Sequence, residues 1–258
     1  MPFLILSDIH ANLEALQAVL ADAQGRYDAI LCLGDLVGYG ADPNAVVEWA
    51  RENLRAVVRG NHDKAGAGEE PLYIYNPAAR AALEWTQAEL TPLSQAYLQG
   101  MPRGPLRLAA NGGGPDGAGA DQVSQDRGFD LSHGSPVDED EYLISAGDAA
   151  LLRPELETRV TFFGHTHIQG GFLLARRTVA PIRPKGVLQI RPDHFYLVNP
   201  GSVGQPRDRD PRAAYVLFDP DAGTVEYRRA EYNVDRAAGK IAAAGLPDFL
   251  AARLYEGM

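Results

Sequence analysis

The sequence predicts an α/β fold with parallel strands, and three observations carry that expectation. Short apolar runs at 3–6, 29–33 and 56–58 alternate with stretches of helical periodicity. Each run stops abruptly at small and polar residues, and none is long enough to be a helix. Strands that alternate with helices imply parallel βαβ units, whose ligands bind at the carboxyl ends of the strands.

The elements follow in order. The run 3–6 ends at "SDIH"; residues 12–23 then place Leu13, Leu16, Val19 and Leu20 on one helical face, with Asn12 as N-cap. The run 29–33 ends at "GD", a helix over 43–53 starts with proline in its first turn, and 56–58 ends at "RGNHD". Residues 77–100 look helical with no strand between, which marks a helical insert at about 64–105. The Gly-rich residues 104–128 hold no core pattern beyond 106–109 and read as a long mobile surface loop, centred on about 110–128. The sheet resumes at 129–131, ending in "SHGSP", and a helix around 148–157 leads to 160–163 and "GHTH". The pattern then turns to β at 172–175, 178–182, 186–191, 195–198, 213–218 and 224–232, before a helix over 234–244 and a short tail. Residues 1–258 read as a single domain, with no repeat at solenoid periods.

Composition narrows the function classes. The chain has 24 basic and 34 acidic residues, a formal charge of -10, which disfavours duplex nucleic acid held through phosphate contacts. Cys32 is the one cysteine, so no disulfide forms within the chain, and its apolar setting reads as a small buried hydrophobe. "MPFLILSDIH" lacks a basic flank and is no signal peptide; no apolar run is long enough to span a bilayer. The expectation is a cytoplasmic protein with no membrane partner.

Chemistry enters at the strand ends. Asp8 and His10, Asp35, Asn61 and His62, His133, and His165 with His167 each follow an apolar run; five of the six histidines fall in this set. His194 stands outside and reads as a surface or structural histidine. Strand ends on one sheet edge bring distant residues into one pocket. A mixture of imidazole, carboxylate and amide oxygen without thiolate suits Mn2+, Fe2+, Zn2+ or Ni2+. The ligands are too many for one metal. Gly34, Gly60 and Gly164 each precede a ligand, where the backbone must turn sharply near the metals.

In order, "SDIHAN", "GDLVGYG", "RGNHD", "SHGSP" and "GHTH", extended by "NPGSVGQPRD", resemble the motifs of the calcineurin-like metallophosphoesterases, nearest the small bacterial phosphodiesterase branch. The resemblance implies a four-layer α/β/β/α sandwich with a small helical insertion and a binuclear centre of two divalent ions, Mn2+ being the expectation. It implies one metal on Asp8, His10 and His167, a second on Asn61, His133 and His165, and Asp35 as bridge. His62 matches the family's non-ligand histidine, a protonated general acid for the leaving group, and Asp63 would orient that imidazole. The implied reaction is phosphoester hydrolysis by in-line attack of a metal-bridging hydroxide, with cations roughly 3.5–4 Å apart clamping the phosphoryl oxygens.

Departures from the family are informative. Ala11 stands where glycine is common. Gly38, Tyr39 and Gly40 occupy positions where phosphoprotein phosphatases and diadenosine tetraphosphate hydrolases usually carry Asp-Arg-Gly, and Asp63 replaces their glutamate, which disfavours phosphoprotein phosphatase activity. The expected partner is a small phosphodiester or nucleotide. The alternatives are a non-catalytic scaffold, as in a retromer subunit of this fold, and a phosphomonoesterase or dinucleoside polyphosphate hydrolase. Retention of His62 beside all seven ligands favours the enzyme. Tyr73, Tyr75, Trp85 and Arg103 either cap the pocket or pack the insert's own core, with packing preferred; Arg207 either reaches a phosphate or forms a surface salt bridge.

Overall fold

A computed structural model describes residues 1–110, 128–183 and 185–258. The loop expected at about 110–128 lies, apart from its two ends, outside the described residues. The chain runs β1 (Phe3–Leu6), α1 (Leu13–Asp22), β2 (Ala29–Cys32), α2 (Pro43–Asn53), β3 (Leu54–Val57) and α3 (Asn61–Gly66). It continues through α4 (Pro77–Glu89), α5 (Pro92–Gln99), β4 (Leu106–Ala109), β5 (Gly128–Leu131), α6 (Ala146–Leu151) and β6 (Val160–Phe162). The remainder is β7 (Gly170–Leu174), β8 (Val179–Ile182), β9 (Val187–Gln189), β10 (Phe195–Asn199), β11 (Ala213–Asp219), β12 (Thr224–Ala230), α7 (Val234–Ala243) and α8 (Asp248–Glu256).

Two six-stranded sheets result, ordered β3-β2-β1-β11-β12-β9 and β4-β5-β6-β10-β7-β8. In the first, β1, β2 and β3 are parallel; in the second, β5, β6 and β10 are. Period-two alternation makes the sheets a sandwich. Phe3 and Ile5 of β1 face the space between them with Val216 and Phe218, while Leu4, Leu6 and Tyr215 face the helices of the outer layer. Phe3 and Phe218 meet Phe129 and Phe162 of the other sheet, with ring centroids 5.1–5.3 Å apart for Phe3–Phe129, Phe129–Phe218 and Phe162–Phe218. Helices α1 and α2 cover the outer face of the first sheet, and α6 packs on β7 and β8 of the second. The four layers are those of the expected sandwich.

Several boundaries differ from the sequence reading for local reasons. Asn12 caps α1 through Ala15 N at 3.1 Å. The helical stretch 77–100 divides at Leu90 and Thr91, because Pro92 has no N–H to continue α4 and Thr91 caps the new helix through Ser94 N. The helix expected at 148–157 ends at Leu151, with a 3-10 turn at Arg153–Glu155 containing Pro154. The short tail is α8, which packs on α7 and shares an apolar cluster with Tyr39 and α4. Cys32 is buried in the core. No helix among the described residues is long and apolar enough to cross a membrane.

Candidate metal centre

At the carboxyl ends of β1, β2 and β6 the chain leaves its strands in a conformation that L residues rarely adopt. Asp8, His10, Asp35, His165 and His167 all have positive φ, between 49° and 63°. Such backbone costs on the order of 1–3 kcal/mol per residue and persists where the surroundings over-determine it. The ends of β2 and β3 close on each other through two glycines. A Cβ on Gly34, at φ 95°, would lie 2.4 Å from Gly60 N, and one on Gly60 would lie 2.1 Å from Asp35 Oδ1.

These turns gather two buried clusters. The ligand atoms of Asp8, His10, Asp35 and His167 lie within 4.8 Å of one another, and so do those of Asp35, His133 and His165. Asp35 belongs to both. Asn61 Oδ1 lies 3.2 Å from His133 Nε2 and so borders the second cluster. His10 Nδ1 donates to Val37 O at 2.9 Å, His133 Nδ1 to Leu33 O at 2.8 Å, and His167 Nδ1 to Gln205 O at 2.6 Å. Three imidazoles thereby turn Nε2 inward, the arrangement by which backbone carbonyls fix the tautomer of a metal ligand. Burial holds His10 and His167 well below the ordinary imidazole value, so both are neutral, and their Nε2 lone pairs face each other at 3.1 Å. Opposed lone pairs in a dry site repel unless a cation lies between them. The donor set therefore fits divalent metal.

The charges of the clusters differ. Burial pushes Asp8 up to about 7, against the pull of His133. Burial also holds His165 down at about 3. At His133 burial opposes the charge, but Asp35 and Asp8 outweigh it and raise the ring to about 10. Asp35, despite its burial, is held well below the usual carboxylate range by His133 and His62.

Asp63 corrects the sequence reading. Asp63 does not orient His62: its carboxylate accepts from Asp35 N at 2.7 Å, Leu36 N at 2.8 Å, Val37 N at 3.3 Å and Gly60 N at 2.9 Å. It is a bracket that holds the loop after β2 against the N-terminus of α3. The adjacent numbers mislead because successive residues at a helix start point in different directions. His62 Nδ1 is buried with no partner, 2.3 Å from where a Cβ on Gly38 would be. Burial, against the pull of Asp35, lowers His62 to about 4, so in the free protein its ring is neutral rather than protonated.

The site contains residues that sequence reasoning missed. The ring of Tyr39, buried between its two glycines, packs 4.6 Å from His10 and 4.4 Å from His62. Tyr142, half exposed, lies 3.8 Å over His165. The sequence marks Tyr39 only as a departure from Asp-Arg-Gly, not as a packing partner of the histidines; Tyr142 carries no local signal. Of the insert's candidates, Tyr75 reaches the site, 5.5 Å from His62 and donating to Glu70 Oε2 at 2.7 Å. Trp85 packs among α4, α7 and α8, Tyr73 is exposed, and Arg103 stands 3.7 Å from Glu139. A cleft of about 370 Å³ opens beside His62 and His165, bordered by Tyr75, Tyr142 and Asn76. His194 lies elsewhere, 2.6 Å from Asp193.

Comparison with known proteins agrees with this geometry. A family model of the calcineurin-like phosphoesterase superfamily domain matches residues 1–223. A metallophosphoesterase from Sphaerobacter thermophilus is 38% identical, with 100% of this chain and 99% of that one covered and a TM-score of 0.81. An uncharacterized protein of Methanocaldococcus jannaschii is 35% identical over 263 residues, 98% of this chain and 97% of that protein. A hypothetical protein of Pyrococcus horikoshii shares the fold at 21% identity, with 100% and 98% of the chains covered and a TM-score of 0.74. Spanning all five strand-end motifs, the match establishes that the chain belongs to the calcineurin-like phosphoesterase superfamily.

Proposed function

We propose that the protein is a metal-dependent phosphoesterase acting on phosphodiesters or nucleotides. Asp8, His10 and His167 would hold one divalent cation, Asn61, His133 and His165 a second, and Asp35 would be shared. The observation that supports this best is the convergence of two buried, thiolate-free ligand clusters on one carboxylate. Such a pair of cations, when bound, supplies Lewis-acid activation of the phosphoryl group and of water.

The chain's own residues have separable tasks around that centre. The buried Nδ1 of His62 has no acceptor, so the single proton of the neutral ring belongs on Nε2, the nitrogen left for the cleft. An anionic phosphoryl group arriving beside the ring favours the imidazolium, so proton uptake accompanies substrate binding and readies His62 to donate to the leaving oxygen. Asp63 fixes the loop that carries Asp35 and so positions the shared ligand. Tyr39 packs behind His10 and His62 and keeps water from that side. The cleft toward Tyr75 and Tyr142 has room for a second ester substituent, which favours diesters.

Hydrolysis of bis(p-nitrophenyl) phosphate by protein loaded with Mn2+ tests this reading. Activity should require the metal and vanish on chelation; full activity in metal-free protein would sink it.

A further inference from the structure

We propose that Arg207 is the residue that grips the phosphoryl group of the substrate, its guanidinium held ready at the ligand clusters by Tyr39 and Gln205. The inference rests on the phosphoesterase reading and adds to it the residue that binds the anion.

Arg207 belongs to the loop that follows β10, and that loop is tied to the ligands. Gln205 O accepts from His167 Nδ1 at 2.6 Å, and Arg207 N donates to His167 O at 3.1 Å. The guanidinium carbon stands 5.7 Å from the centre of the Tyr39 ring, which itself packs on His10 and His62. The guanidinium is near enough for its charge to act on Asp8, His10, His62, His165 and His167.

Its hydrogen bonding is incomplete. One terminal nitrogen donates to Gln205 Oε1 at 3.2 Å and to Tyr39 Oη at 3.4 Å, and the Tyr142 hydroxyl lies within reach of the guanidinium, while Nε is buried with no partner. Among the described residues Arg207 has no ion pair with a carboxylate, although Arg212, Arg228 and Arg229 each have one. Asp208, next in sequence, pairs with Arg229 and accepts from Gln169 N at 3.1 Å; Arg212 pairs with Asp210; Arg228 pairs with Asp22. The surface salt bridge that the sequence left open for Arg207 is not found among the described residues.

A partly buried guanidinium with an unpartnered Nε costs stability unless a ligand completes it. Metal loading makes that cost larger. The carboxylates of Asp8 and Asp35 cannot neutralise two dications, so the loaded centre is cationic and Arg207 adds to the excess. An anion between them removes the imbalance. A phosphoryl group fits because its oxygens can accept the planar guanidinium's donors while another oxygen faces the metals.

Titration calorimetry of inorganic phosphate into Mn2+-loaded protein tests the proposal without requiring turnover. The wild type should bind phosphate. Arg207→Ala should bind it roughly 10–100-fold more weakly, the size expected for losing a charge-assisted pair. Arg207→Lys, which keeps the charge without the fork, should recover part of the loss. All three proteins should keep the same metal content, and KM for the nitrophenyl diester should rise in the order wild type, Lys, Ala. A wild type that fails to bind phosphate, or an alanine variant that binds it as tightly as wild type, overturns the proposal. So does metal loss in both variants, which would make Arg207 a support for His167. If phosphate binds through Arg207 but neither diesters nor nucleotides are hydrolysed, the phosphoesterase reading fails and only the phosphate site at Arg207 stands.

Discussion

The two ligand clusters share Asp35 and are otherwise built differently. On the first side, His10 and His167 each anchor Nδ1 on a backbone carbonyl, and the buried Tyr39 packs against His10. On the second, His133 is anchored in the same way, but His165 turns Nδ1 inward and leaves a buried Nε2 without a partner. Its cover is the half-exposed Tyr142, and Asn61 is tied to Tyr75 of the insert by a 3.3 Å bond from its side-chain amide. The first side is part of the packed core. The second borders the cleft and depends on groups that solvent reaches. A cation on the first side would be enclosed by packed side chains; one on the second would border the cleft.

The largest effect should come from the residue that removes the comparison altogether. Asp35→Asn replaces the shared carboxylate by a neutral amide, and metal analysis should show loss at both sides. Activity should fall further than the roughly 10–100-fold typical of groups that only support ligands. Two metals per chain with wild-type activity would show that the sides do not share Asp35.

His62→Ala sharpens the comparison from between the sides, because the ring supplies neither cluster with a ligand. The variant should keep its metals and lose roughly 10²–10⁴-fold in turnover on an ester with a basic alkoxide leaving group. A nitrophenyl ester, whose leaving group needs little protonation, should suffer far less. Equal losses on both esters would assign His62 to phosphate positioning instead, and loss of metal would make it a ligand.

The smallest effect is a difference in pH dependence. At about pH 8.5 Asp8, raised to about 7, is ionised and His10 and His167 are neutral, so filling the first side releases no proton. His133 is raised to about 10 in the metal-free protein, so filling the second side must displace its proton. At about pH 8.5 affinity of the second side should therefore rise roughly tenfold per pH unit while that of the first stays flat. Calorimetry in two buffers of different ionisation enthalpy reads this as one proton released at one of the two sites. Proton release at neither, or at both, would remove the distinction drawn here.

The legible features of the fold and site are those whose signal is local. A run such as "AILCLGD" states both that a strand exists and where it stops, because apolar residues and a turn-forming glycine adjoin a polar ligand. Five such endings place candidate ligands at the ends of strands; that they come from two facing sheets, β1–β3 and β5–β6, was not legible. Boundaries were legible where a capping side chain or proline stood in the right place, as at Asn12 and Pro43. They were not legible at α8, whose burial depends on α7 and whose helical pattern is short.

The sequence by itself determined the α/β class and the set of candidate ligands at strand ends, since these depend on residue type, period and punctuation along the chain. Only the tertiary structure decided what surrounds the ligands. It turned Asp63 from His62 to four backbone amides, set Tyr142 over His165, and left Arg207 at the centre without a carboxylate. The reason is physical. A side chain's role is set by which groups complete its hydrogen bonds and exclude its water, and in this fold those groups come from distant segments, as Tyr39, 168 residues away, does for Arg207.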